Sequence, residues 1–198
     1  MTKNNPLTKR REPFNFLLWL GITSSALIFT VLIAIYMLRK SAPNWVSVPL
    51  PSLFLISTAA IVVSSVTLHW ANKSFKIDQF IKYRALMACT LGLGVTFIIL
   101  QLFGWQQLIS GGVSMSNNPS AGFIYVLSGL HILHILGGVV ALGWAVVESL
   151  KNYTYVDAFV YSVNPPNQLK IKLITLYWHF VDVLWLILFA FLVYQHGV

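Results

Sequence analysis

The sequence predicts an all-α integral membrane bundle, a single transmembrane domain over residues 1–198 with five spanning helices. Of the 198 residues, 57% are hydrophobic and 9% are charged, whereas a soluble domain carries about 25% charged residues. The chain also contains five apolar runs, each long enough to match the ~20 residues that cross the hydrocarbon core as a helix. Lipid offers no partner for unpaired backbone groups, and the sequence lacks the alternating pattern of a membrane barrel, so the spans are predicted to be helices.

The five apolar segments follow one another with polar connections between them. They extend from about Phe14 to Leu38, Pro51 to Ala71, Tyr83 to Ile109, Ala121 to Leu150 and Ile171 to Tyr194. The connections are rich in proline, glycine, serine and asparagine, which interrupt regular structure. We expect the longest loop at residues 151–170, which contain two consecutive prolines. The first segment is too long for the apolar region of a signal peptide, so we expect it to remain as an anchor.

The distribution of lysine and arginine predicts the orientation in the membrane. Eleven of these 13 residues lie in the N-terminal tail or around the connections that follow the second and fourth segments. Only Arg39 and Lys40 lie at the opposite ends of the segments. Because basic flanking residues stay on the cytoplasmic side, we expect the N-terminus inside and the C-terminus outside. The net charge of +8 is thereby a topology signal, and no nucleic-acid partner is predicted.

Ionisable residues within the predicted spans are costly in lipid and therefore need an explanation. The fourth segment contains His131 and His134, and the fifth contains His179 and Asp182. Each pair is three residues apart, so its members share one helix face. Glycines in the fourth segment allow a neighbouring helix to approach closely. If the two helices are neighbours, we expect the imidazoles and the carboxylate to satisfy one another inside the protein.

Three interpretations of these polar residues are open from the residues alone. Histidines at matched depth on facing helices would ligate a haem, as His131 or His134 with His179. A chain of histidine and Asp182 would instead relay protons. Paired polar groups would otherwise hold two helices together, which is the structural interpretation. A transporter or channel is a further class, although the sequence shows neither internal repeats nor broken helices. No soluble-enzyme motif is present.

Four segments carry motifs of one known family. The stretch Tyr177–Trp185, YWHFVDVLW, resembles the last helix of subunit III of haem–copper respiratory oxidases. The stretch Gly129–Gly137 resembles the G-x-H-x-x-H-x-x-G helix of that family. Weaker similarities lie in Leu91–Phe97 with Gln101 and in Ser64–Thr67, in the expected order. The chain is identified as a member of this family, in its short bacterial form of five helices.

The resemblance implies an accessory role in aerobic respiratory electron transport. Subunit III of the family holds no haem and no copper, and these cofactors are expected in partner subunits. It packs against catalytic subunit I, binds phospholipids, and supports assembly and proton uptake while the complex reduces dioxygen to water and pumps protons. The implied complex is a cytochrome c oxidase of the bacterial plasma membrane, with a possible place in a respiratory supercomplex. The alternatives are subunit III of a quinol oxidase and a small haem-binding membrane cytochrome.

The resemblance assigns no catalytic and no metal-binding residue to this chain. It implies structural or lipid-cleft roles for seven residues, namely His131, His134, His179, Asp182, Gln101, Trp178 and Trp185. Two positions depart from the family pattern. Ser25 stands where the family has a membrane-embedded glutamate, so a carboxylate role there does not carry over. The pair Gly104-Trp105 stands where the family tends to have Glu-Tyr.

Overall fold

The computed structural model describes residues 12–41, 45, 48–113 and 119–197. In these ranges the chain forms six α-helices and no strand. The helices are α1 (Glu12–Arg39), α2 (Leu53–Lys76), α3 (Phe80–Ser110), α4 (Pro119–Lys151), α5 (Tyr155–Val163) and α6 (Pro165–His196). All except α5 are long and apolar enough to cross a membrane. The prediction of an all-α bundle with five candidate spanning helices is therefore confirmed.

The prediction of a loop over residues 151–170 is wrong. Helix α5 occupies nine of these residues, and the side chain of Thr154 caps its start by accepting the Asp157 N–H at 3.2 Å. Helix α6 then begins at Pro165, six residues before the predicted start of the fifth segment. Proline lacks an N–H and has a fixed φ, so it suits the first turn of a helix, where the N–H has no intrahelical partner. The two prolines therefore begin a helix here.

Four of the spanning helices form a closed bundle. Helices α2 and α3 make the most extensive pairing, α3 also packs on α4, and α6 packs against both α4 and α2. Helix α6 is the central element, because it also contacts α1 and α5. The fourth and fifth spanning helices, α4 and α6, are therefore neighbours.

Helix α1 lies on the outside of this bundle, against α4 and α6. Its buried hydrophobic side chains are Ile22, Phe29 and Tyr36, spaced seven residues apart. A seven-residue spacing places side chains in one narrow stripe along a helix. Most other apolar side chains of α1 are exposed, so this helix presents a wide hydrophobic surface.

Close helix approach in the centre of the bundle depends on two glycines. A Cβ atom on Gly94 of α3 would lie 2.6 Å from Cη2 of Trp178. A Cβ atom on Gly138 of α4 would lie 2.9 Å from the same indole. Trp178 and Trp185 of α6 are the largest fully buried side chains. The glycines thus make the space that lets α6 insert its indole rings between α3 and α4.

Polar contacts join the helices at the end of the bundle where α4 finishes and α6 begins. The Glu148 carboxylate accepts hydrogen bonds from the Tyr161 hydroxyl at 3.0 Å and from Lys170 Nζ at 3.3 Å. The Arg84 guanidinium of α3 donates to the backbone oxygen of Asn152. Burial raises the pKa of the Tyr161 phenol above its ordinary value, and the hydrogen bond to Glu148 raises it further. The Tyr161 contact holds α5 against α4.

Candidate functional site

The candidate site is a set of polar contacts between the spanning helices, and it is centred on α2. This helix carries two pairs of hydroxyl residues, Ser57-Thr58 and Ser64-Ser65, seven residues apart. A separation of seven residues is close to two helical turns, so the two pairs lie on the same side of α2. Both neighbouring helices of the bundle, α3 and α6, use these hydroxyls as hydrogen-bond partners.

Two tryptophans of α6 donate to hydroxyls of α2. Trp178 Nε1 donates to Ser64 Oγ at 3.1 Å, and Trp185 Nε1 donates to Thr58 Oγ1 at 2.9 Å. Both indole rings are fully buried. A buried indole N–H needs an acceptor, since leaving it unpaired costs free energy. The two tryptophans of the fifth-helix motif therefore fasten α6 to α2.

Helix α3 is fastened to α2 by the same kind of contact. Gln101 Nε2 donates to Ser57 Oγ at 2.8 Å, and both side chains are fully buried. The hydroxyls of Thr67 and Thr90 share a second hydrogen bond of 2.8 Å. Hydrogen bonds between polar side chains hold helices together where the surroundings are as apolar as the protein itself. The predicted site residue Gln101 is thus part of a helix contact.

His134 connects three helices. Its Nδ1 lies 2.8 Å from the Leu130 carbonyl oxygen, and its Nε2 lies 3.0 Å from Ser25 Oγ of α1. A carbonyl oxygen can only accept, so Nδ1 donates in the first of these contacts. The Tyr177 hydroxyl of α6 donates to the His134 carbonyl oxygen at 3.0 Å. Ser25 therefore joins α1 to α4.

His131 occupies an aromatic enclosure. The side chain is fully buried, and its ring centroid lies 4.9 Å from that of Trp185 at an interplanar angle of 31°. Phe97 of α3 and Phe29 of α1 contact the imidazole edge-on, with centroid separations of 5.8 and 6.5 Å. Within the described part of the chain, neither ring nitrogen has a hydrogen-bond partner. Aromatic packing therefore accounts for the position of this histidine.

The acidic residue of the site pairs within its own helix. Asp182 is 3% exposed, and its Oδ2 lies 4.0 Å from His179 Nδ1. That nitrogen is 2.8 Å from Ser65 Oγ of α2, and the Ser65 hydroxyl also lies beside the carboxylate. Among the described residues, no hydrogen bond to either Asp182 oxygen meets ordinary geometry. The expected mutual satisfaction of Asp182 and the imidazoles of α4 is therefore absent. Trp185 lies against His131, and His134 bonds to Ser25 of α1.

The arrangement does not fit a haem held between α4 and α6. His131 packs among side chains of α1, α3 and α6, and His134 bonds to Ser25 of α1. His179 bonds instead to Ser65 of α2. Trp185, which stacks on His131, is six residues after His179 and thus about 9 Å further along α6. The two imidazoles therefore do not face each other at one depth. No group of three or more His, Cys, Asp or Glu side chains in the described ranges could hold a metal ion.

Sequence reasoning identified the buried tryptophans and Gln101 but missed the side chains that receive them. The unpredicted partners are the hydroxyls of Ser57, Thr58 and Ser65 on α2 and the phenol of Tyr177 on α6. A signal was available in the sequence, since hydroxyl pairs recur at a spacing of seven within one apolar segment. A hydroxyl group in a spanning helix that bonds to a group outside its own helix is expected to face another helix.

Comparison with known proteins gives one consistent family. The protein-family model described as cytochrome c oxidase subunit III matches residues 10–198 of this chain. The chain is 27% identical over 179 residues to the probable cytochrome c oxidase subunit 3 of Nocardia farcinica, which covers 88% of this chain and 83% of that protein. It is 26% identical over 184 residues to cytochrome c oxidase subunit 3 of Bacillus sp. PS3, covering 90% and 84%.

A third relative is named for a different electron donor. The chain is 25% identical over 185 residues to the cytochrome bo(3) ubiquinol oxidase subunit 3 of Buchnera aphidicola subsp. Baizongia pistaciae, covering 90% of this chain and 89% of that protein. The motif resemblance is confirmed by these matches, and five apolar helices agree with a multi-pass membrane protein. The chain belongs to the cytochrome c oxidase subunit III family.

Proposed function

We propose that this chain is the cofactor-free accessory subunit III of a proton-pumping haem–copper terminal oxidase. In this role it packs against catalytic subunit I, binds phospholipids, and supports assembly and proton uptake while the complex reduces dioxygen to water. The family match over residues 10–198 is the observation that carries the proposal. The polar contacts support it, because Trp178, Trp185, Gln101 and His134 bond to other helices. Haem and copper then belong to the partner subunits.

The proposed location is a bacterial plasma membrane, with the N-terminus inside. The basic residues near the end of α2, the start of α3 and the end of α4 support this orientation, since Arg84 and Lys170 contact α4 and its connection at one end of the bundle. In a Cys89→Ser background, a cysteine introduced at Gln168 should react with membrane-impermeant maleimide only in inside-out vesicles. Labelling of that cysteine in intact cells would show that the orientation is opposite to the one proposed.

Cytochrome c is the proposed electron donor, and quinol is the second candidate. Relatives named as cytochrome c oxidase subunits favour the first, and the relative named as a ubiquinol oxidase subunit favours the second. The donor site lies on other subunits in either case. Oxygen consumption by the purified complex, measured with reduced cytochrome c and separately with ubiquinol, distinguishes the two.

The experiment that tests the proposed function is purification from native membranes through an affinity tag on this chain. A larger subunit that carries haem and copper should co-isolate in a fixed ratio, and blue native electrophoresis would reveal any supercomplex. Isolation of the solubilised chain alone would contradict the proposal. A Soret band that follows the isolated chain and vanishes in His134→Ala would establish the haem-binding alternative instead.

A further inference from the structure

Helix α5 presents an apolar face that no other part of the described chain covers. Its buried side chains, Ala158 and Ser162, face the bundle. Five other apolar side chains of α5 are between 43% and 67% exposed, namely Tyr155, Val156, Phe159, Val160 and Val163. At 3.6 residues per turn they lie within about 140° of one another around the helix axis. A contiguous exposed apolar face of this kind marks a contact with another protein or with the membrane.

A basic cleft of about 950 Å³ borders the α5 face. It lies between the end of α2, the first half of α6 and α5, and two exposed residues of the α5 face belong to its lining. Lys73, Lys76 and Lys172 line it as well. Asp78 is the single acidic residue of the lining. All three lysines are exposed, and in the described part of the chain none forms a hydrogen bond or ion pair. Unbalanced positive charge therefore lies next to the apolar face.

Both ends of α5 lie on the aqueous side of the basic residues that mark the membrane surface. Val163 is two residues before Pro165, where α6 begins, and Pro165 lies about 10 Å beyond Lys172 along that helix. At the other end, the Tyr155 ring contacts the ring of Phe80, the first residue of α3, with centroids 5.5 Å apart. Acyl chains lie on the opposite side of the basic residues, so a protein covers this face better than lipid does.

The negative charge that complements these lysines is scarce in this chain. Only five of its 198 residues are acidic, and one of them, Glu148, already accepts hydrogen bonds from Tyr161 and Lys170. The N-terminal residues 1–11 carry four basic and no acidic side chains. A second copy of the chain would bring the same lysines to a symmetric contact, where like charges repel. The complementary charge therefore comes from a different protein.

We propose that the exposed face of α5 and the lysines of the neighbouring cleft dock an acidic amphipathic segment of another protein, on the basic side of the membrane. Apolar side chains of that segment cover Val156 and Val160, and its carboxylates pair with Lys73 and Lys172. An apolar centre with a charged rim is the usual anatomy of a protein interface. The charged pairs fix the choice of partner more than they fix the affinity. The inference goes beyond the proposed function and holds for either electron donor.

The test is photo-cross-linking of the tagged full-length chain in native membranes, with p-benzoylphenylalanine in place of Val160. The captured peptide, identified by mass spectrometry after purification through the tag, should belong to another protein and contain several aspartates or glutamates. The same probe in place of Val140, an exposed residue in the middle of α4, should not capture that peptide.

The lysines are tested in the same experiment. An exposed ion pair contributes up to about fivefold in affinity, so Lys73→Gln/Lys172→Gln should lower the yield of the cross-linked peptide roughly tenfold. The charge-matched control Lys82→Gln/Lys151→Gln changes two exposed lysines outside the cleft and should stay within about twofold of the parent chain. Lysines in place of the acidic residues of the captured peptide should restore the yield when they are combined with Lys73→Glu/Lys172→Glu.

Several results would overturn the proposal. Cross-links from Val160 to lipid alone would show that the membrane covers α5, and cross-links to another copy of this chain would show self-association. A captured peptide without acidic residues, or no loss of yield in the cleft variant, would remove the lysines from the contact. Equal loss in the cleft variant and its control would show a diffuse charge effect. Co-isolation of the haem subunit with each variant shows that the complex is intact and tests the proposed function separately.

Discussion

The hydrogen bond between Trp185 and Thr58 allows the structural role of the fifth-helix motif to be measured. Thr58→Val removes the acceptor with little change in shape and leaves a fully buried indole N–H without a partner. An unpaired buried donor costs about 1–3 kcal/mol, so the variant should lower the free energy of unfolding by that amount. The hydrogen bond is 2.9 Å long and Trp185 is fully buried. The full penalty for an unpaired donor therefore applies here.

The assay is unfolding of the detergent-solubilised chain by SDS, followed by circular dichroism. A double-mutant cycle with Trp185→Phe isolates the pairwise coupling, which should reach about 0.6–1.7 kcal/mol for a hydrogen bond inside a membrane protein. Thr96→Val is the matched control, since the Thr96 hydroxyl is exposed and bonds only to the Gly92 carbonyl of its own helix. If Thr58→Val and Thr96→Val cost the same, or if the coupling is zero, the assigned role of the bond is refuted.

Three further changes test other parts of the bundle. Gly138→Ala should cost about 1–3 kcal/mol in the same unfolding assay by overpacking against Trp178. Ser65→Ala should cost about 0.5–1.5 kcal/mol because it removes the hydrogen-bond partner of the half-buried His179 imidazole. Tyr161 holds its proton more tightly in the folded protein, so stability should fall as pH rises above the ordinary phenol pKa of about 10. Tyr161→Phe should lessen that alkaline loss in stability measured from pH 8 to 12.

Matched changes define the results that would contradict these expectations. Gly143→Ala introduces a Cβ with no atom within 4 Å, so it should cause no loss, and a cost equal to that of Gly138→Ala would argue against local overpacking. Asp182→Asn keeps the shape of a side chain that makes no well-formed hydrogen bond among the described residues. It should therefore cost less than Ser65→Ala, and the reverse order would show that Asp182 provides the main support of His179.

The number and nature of the spanning helices could be predicted because length and hydropathy alone decide them. The end of α1 at Arg39 and the end of α2 at Lys76 coincide with basic residues at the edges of apolar runs. The start of α6 could not be predicted in the same way. Pro165 and Pro166 interrupt a helix in its interior but begin one at its first turn, and only the surrounding packing decides between these outcomes.

Several polar residues of the spanning helices could be singled out from the sequence, but their partners could not. The spacing of His131 and His134 shows that they share a helix face, yet the rotation of α4 about its axis decides what that face meets. In the structure it turns His131 towards Trp185 and His134 towards Ser25. Asp182 remains on the side of α6 that faces α2, beside Ser65. Helix rotation is set by the sum of many packing contacts, so spacing within one helix carries no information about it.

The metal content of the complex before and after removal of this chain tests its role as a cofactor-free subunit most directly. The tagged oxidase is purified, this chain is stripped with detergent, and haem, iron and copper are measured in both fractions. All haem and copper should stay with the remaining subunits, and the stripped fraction should contain none. Iron or copper that leaves in a fixed ratio with this chain would contradict the assignment.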